Sequence, residues 1–60
     1  MTETTLRVLL VDDEQLSTDL LSSIVSMTSG FTVAGVRKNG REAIDALHQD
    51  HFDIVLMDIQ

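Results

Sequence analysis

The sequence predicts an α/β fold: a βαβαβ unit whose strands form a parallel, doubly wound sheet. Three observations lead there. The runs Leu6–Val11, Phe31–Arg37 and Ile54–Met57 are apolar and of strand length. The two stretches between them carry apolar residues at helical spacing instead. Each stretch is long enough for a helix to return along the sheet. Successive strands then restart at the same end and pair in parallel, with right-handed crossovers.

The first strand, LRVLLV, directs apolar side chains both ways, which suits burial on two faces. Asp12, Asp13 and Glu14 follow at once. From Gln15 to about Thr28 the period changes. Leu16, Leu20, Ile24 and Met27 form a helical stripe that Leu21 and Val25 widen, leaving Thr18, Ser22 and Ser26 outside. Asp13 is the expected N-cap, Glu14 a first-turn acid, and Ser29-Gly30 the stop. In the second strand, FTVAGVR, Gly35 marks close packing against a neighbouring backbone or helix. Asn39 then opens a second helix, with Glu42 three residues on as a capping-box partner. Ala43, Ile44 and Leu47 supply its apolar face, and His48 to His51 close it. Met27 and Met57 fall at core periods. Arg37, Lys38 and Arg41 read as a solvated turn, and His48 and His51 as charges that complement a helix end.

Composition narrows the function. Among 60 residues, four Lys+Arg against ten Asp+Glu give a formal net charge of −6. Such a surface has no footprint for direct nucleic-acid contact or for an anionic membrane. The chain has no Cys, which excludes a disulfide framework, a zinc knuckle and a thiol nucleophile. No apolar run approaches bilayer length and no signal-peptide pattern opens the chain, so a cytoplasmic setting is expected. Chains this short are marginal without a disulfide, a metal or a partner chain. A homodimer, a strand-exchanged assembly or membership of a larger unit is therefore expected.

In doubly wound sheets, ligands bind beyond the carboxyl ends of the strands, where the strand order reverses. Here the first strand ends in Asp12-Asp13 and the third in Asp58. If those strands are neighbours, three carboxylates share one crevice. At about 4 Å and an effective dielectric near 20, each pair repels by about 4 kcal/mol. The cluster calls for a proton or a cation, and an oxygen-only donor set suits Mg²⁺. A divalent ion beside a carboxylate neutralises and orients a phosphoryl group. A carboxylate can then act as nucleophile and form an acyl phosphate. Asp58 is the geometric choice, since it ends a strand, while Asp12 and Asp13 sit at a strand–loop junction suited to holding the ion.

LRVLLVDDE, the NGREAI helix start and DIVLMDIQ together resemble the receiver domain of bacterial two-component response regulators. GFTVAGVRKNGREAI is similar to the branch whose full-length members carry a helix-turn-helix DNA-binding output domain. The resemblance runs from Leu6 to Gln60. It implies the N-terminal half of a flavodoxin-like sheet with strand order 2-1-3, a truncated receiver over residues 1–60. It also implies Asp58 as phosphoacceptor, a sensor histidine kinase as phosphoryl donor, and a parent that regulates transcription. For the metal it implies Mg²⁺ held by Asp12, Asp13, Asp58 and the backbone carbonyl of Gln60. Full-length members continue with two more strands and three more helices, which bring a hydroxyl and a Lys to the phosphoryl group. On that basis this length of chain is expected not to switch by itself.

Two other functions compete. A non-switching half-domain would dimerise or complement its missing half without phosphoryl chemistry. A Mg²⁺-dependent phosphohydrolase would place a general-acid Asp two residues after its nucleophile, where this chain has Gln60. The receiver itself is expected not to be an enzyme.

Overall fold

The computed structural model of the chain describes residues 4–58. Its elements are β1 (Leu6–Val11), α1 (Gln15–Met27), β2 (Phe31–Arg37), α2 (Gly40–Gln49) and β3 (Ile54–Met57). The three strands form one parallel sheet in the order β2-β1-β3. This is the βαβαβ half of a flavodoxin-like sheet.

β1 lies in the middle and its two faces build two cores. Val8 and Leu10 pack with Val25 of α1, joined by Leu21, Phe31, Val33 and Ile54. Leu9 and Val11 pack with Ala43 and Ala46 of α2, joined by Phe52. The helices thus cover opposite faces, and the unbroken apolar run of β1 is explained by burial on both sides.

β1 and β2 pair with one irregularity. Val8 lies opposite Val33 but Leu9 lies opposite Gly35, so Ala34 is an extra residue in β2. A Cβ on Gly35 would stand 3.2 Å from Leu9 Cδ1 and 3.3 Å from Phe52 Cε1. Gly35 is closely packed, but against side chains of β1 and of the loop after α2 rather than the backbone or helix expected. Gly30 adopts φ 89°, the left-handed turn that ends α1 and starts β2, and its carbonyl accepts the Leu6 N–H at 2.8 Å.

Both helix faces differ from the expected ones. In α1, Thr18 and Val25 are buried and Leu21 is half-buried, whereas Leu16 is 80% and Met27 81% exposed, with Leu20 and Ile24 also exposed. The sheet contacts one flank of the apolar stripe, the line Thr18–Leu21–Val25. The other flank, with Leu16, Leu20, Ile24 and Met27, is left exposed. Thr18 tolerates burial because its hydroxyl donates to the Gln15 carbonyl at 3.0 Å. In α2, Ala43 and Ala46 face the sheet and let the helix approach closely, while Ile44 and Leu47 are exposed. Met57 is exposed too, because β3 is an edge strand with no neighbour on its outer side among the described residues.

Candidate functional site

β1 and β3 are neighbours, so the condition for a shared acidic crevice is met. Their register pairs Val8 with Ile54 and Val11 with Met57. Continued by one residue, it sets Asp12 across from Asp58. The Asp58 N–H donates to the Val11 carbonyl at 3.2 Å, and the Asp12 N–H donates to the Arg37 carbonyl at 3.1 Å. Backbone bonds to the strands on either side therefore fix where both carboxylates begin.

Asp12, Asp13 and Asp58 line one crevice of about 260 Å³, together with Val11, Met57, Lys38, Asn39 and Gly40. Asp12 is buried, whereas Asp13 and Asp58 are exposed. Asp12 Oδ1 accepts the Glu14 N–H at 2.9 Å. This bond gives Asp12 part of the capping work expected of Asp13: the N-cap is Glu14, whose side chain makes no cap bond. Among the described residues, no three His, Cys, Asp or Glu side chains already converge as a metal-holding group. The donor chemistry of the crevice nevertheless fits a hard ion, since its acidic donors are all carboxylate oxygens. Gln60 lies outside the described residues.

The start of α2 contributes to the same crevice, which the sequence reading did not anticipate. Asn39 Oδ1 accepts the Glu42 N–H at 2.9 Å, the expected cap, and Glu42 Oε1 accepts the Lys38 N–H at 3.2 Å in return. This capped turn brings Lys38, Asn39 and Gly40 to the rim. The clue available in the sequence was positional: β2 ends at the same edge of the sheet as β1 and β3.

His48 and His51 are not among the residues lining the crevice. His51 Nε2 lies 3.0 Å from Asp53 Oδ1. The Arg7 N–H donated to Asp53, and after it the hydrogen bond from His51, hold the Asp53 carboxyl below its usual range.

A parallel half-sheet with acids at the tips of adjacent strands defines a class of ligand site at the strand ends of a doubly wound fold. The family described as response regulator receiver domain matches residues 8–60, and the chain belongs to that family. It is 43% identical over 53 residues to the chemotaxis protein CheY of Thermotoga maritima, covering 88% of this chain and 43% of that protein. It is 37% identical over 54 residues to the response regulator protein VraR of Staphylococcus saprophyticus, covering 90% of this chain and 26% of that protein. A protein-glutamate methylesterase/protein-glutamine glutaminase of Treponema denticola is 36% identical over 55 residues, covering 92% of this chain and 15% of that protein. The chain thus spans less than half the length of each of these relatives. No solved structure matches the chain significantly.

Proposed function

We propose that the chain is the phosphoacceptor module of a two-component response regulator, with Asp58 as the acceptor and a sensor histidine kinase as the donor. The observation that carries this reading is the single crevice lined by Asp12, Asp13 and Asp58 at the tips of two paired strands. A carboxylate oxygen of Asp58 attacks phosphorus of the donor's phosphohistidine. The new O–P bond forms as the N–P bond breaks, and the imidazole leaves with the electron pair. Asp12, Asp13, Asp58 and the Gln60 carbonyl are the proposed holders of Mg²⁺. When bound, the ion would offset the charge on the phosphoryl oxygens. The backbone bond from Asp58 to Val11 orients the acceptor, and the buried Asp12 is held by the Glu14 N–H.

The module itself is read as a non-enzymatic, cytoplasmic part of a signalling protein. Its relatives carry different outputs by name: a chemotaxis protein, a response regulator protein and a methylesterase/glutaminase. For this chain the proposed output is transcriptional regulation through a separate DNA-binding domain, supported by the resemblance of GFTVAGVRKNGREAI. A DNA-binding domain or an esterase domain in the same polypeptide would distinguish these outputs.

The test is incubation of the natural full-length protein with a small acyl phosphate and Mg²⁺. A hydroxylamine-labile phosphoryl adduct is expected on Asp58, lost with Asp58→Asn and on chelation of the metal. An adduct that survives Asp58→Asn would overturn the assignment. The 60-residue chain alone is expected to form no long-lived adduct.

A further inference from the structure

A dense polar cluster lies at the end of the sheet opposite the acidic crevice. The Arg7 N–H donates to Asp53 Oδ2 at 2.8 Å, and the Asp53 N–H donates to the Arg7 carbonyl at 2.8 Å. One residue of the α2–β3 loop thus engages both backbone polar groups of a β1 residue. The Arg7 side chain then gathers the rest of the loop. Its Nε donates to the His51 carbonyl at 2.7 Å and a terminal nitrogen reaches Asp50 Oδ2 at 2.8 Å. Its guanidinium carbon lies 5.7 Å from the centre of the Phe52 ring, which packs on the α2-side core.

These groups are exposed, so the ion pairs contribute little stability. Their consequence is geometric. β3 has four residues, and its register against β1 rests on few ladder bonds. A slip of one residue would turn every β3 side chain to the opposite face, and a slip of two would carry Asp58 about 7 Å along the sheet. Asp53 stands immediately before the first pair, Val8 with Ile54, and Asp58 immediately after the last, Val11 with Met57. An extended strand transmits its anchoring from one end to the other over roughly 17 Å.

We propose that Asp53 is a positioning residue: by engaging the Arg7 backbone through both its carboxylate and its own N–H, it sets the β3 register that places Asp58 beside Asp12 and Asp13. Arg7 supports it by holding the loop from Asp50 to Phe52. The functional consequence rests on Asp58 being the phosphoacceptor; the register lock does not.

The experiment compares Asp53→Ala, Asp53→Asn and Asp50→Ala in the natural full-length protein. Two quantities are read: the rate of Asp58 phosphorylation at saturating small acyl phosphate and Mg²⁺, and hydrogen exchange at the Asp58 amide and at the β1 amides. Asp53→Ala should slow phosphorylation about tenfold, well within what misplacing a reacting group can cost. It should also speed exchange at Asp58 while the amides from Val8 to Val11 keep their protection; the Arg7 amide, whose acceptor the variant removes, is left out of the comparison. Asp53→Asn should restore both, because its side-chain oxygen still accepts the Arg7 N–H. Asp50→Ala, which removes the ion pair to Arg7 and the bond from the His51 N–H but leaves both Asp53 contacts to the Arg7 backbone, should match the wild type. Wild-type exchange at Asp58 in Asp53→Ala would overturn the proposal. So would equal loss of protection from Val8 to Val11, or an Asp53→Asn as impaired as the alanine variant. If the wild-type protein takes no phosphoryl group on Asp58, the phosphoacceptor reading fails, and the exchange data still decide the register lock.

Discussion

Gly35 occupies the point where strand pairing, core packing and the α2–β3 loop meet. Its missing side chain makes room for Leu9, which is fully buried, and for Phe52, which lies under the Arg7 guanidinium. Neither neighbour is a free surface group that could move aside cheaply. Gly35→Ala should therefore destabilise the natural full-length protein by about 1–3 kcal/mol, the usual cost of overpacking a filled core. A fall in the denaturant midpoint at unchanged slope would show it; an unchanged midpoint would mean that Leu9 and Phe52 yield. The Arg7 cluster had no comparable trace in the sequence. Its partners lie 43 to 46 residues away, and an Arg at the start of a strand resembles any solvated charge until β3 is folded beside it.

Elements were more readable than their orientation. The three strands occupy the residues expected of them, because a short apolar run between turn residues has few other solutions. The start of α2 was equally readable, since Asn39 and Glu42 are a local signal and their bonds form within one turn. Asn39→Ala should cost about 1 kcal/mol in the same unfolding measurement. Glu14→Ala should cost much less, because the side chain at the α1 N-cap makes no cap bond. The inward face of α1 was the poorest expectation. Periodicity locates an apolar stripe but not the angle at which a sheet meets it, and three strands reach only the flank carrying Thr18, Leu21 and Val25. In the acidic crevice, the convergence of residues 12, 13 and 58 followed from topology, whereas the contribution of Lys38 to Gly40 needed the folded turn.

For the molecule as a whole, the exposed flank of α1 and the edge of β3 leave apolar side chains uncovered among the described residues. Leu20 and Leu21 of α1 line a cavity of about 550 Å³ with Val55, Leu56 and Met57 of β3. An open strand edge beside apolar side chains favours association. The isolated 60-residue chain is therefore expected to sediment as a dimer or larger species, and Leu20→Glu should shift it towards monomer. A folded wild-type monomer would contradict this.

The central place of β1 has a consequence for how the protein is made. On a ribosome the chain emerges from its N-terminus, so β1, α1 and β2 can close as a unit while the remainder is still being synthesised. One side of β1 stays bare until β3 arrives. Asp58 thus arrives after Asp12 and Asp13, onto an edge whose paired acids are already in place. Anything that delays the docking of β3 leaves a nascent chain with Asp12 and Asp13 in place and the opposite wall of the crevice missing.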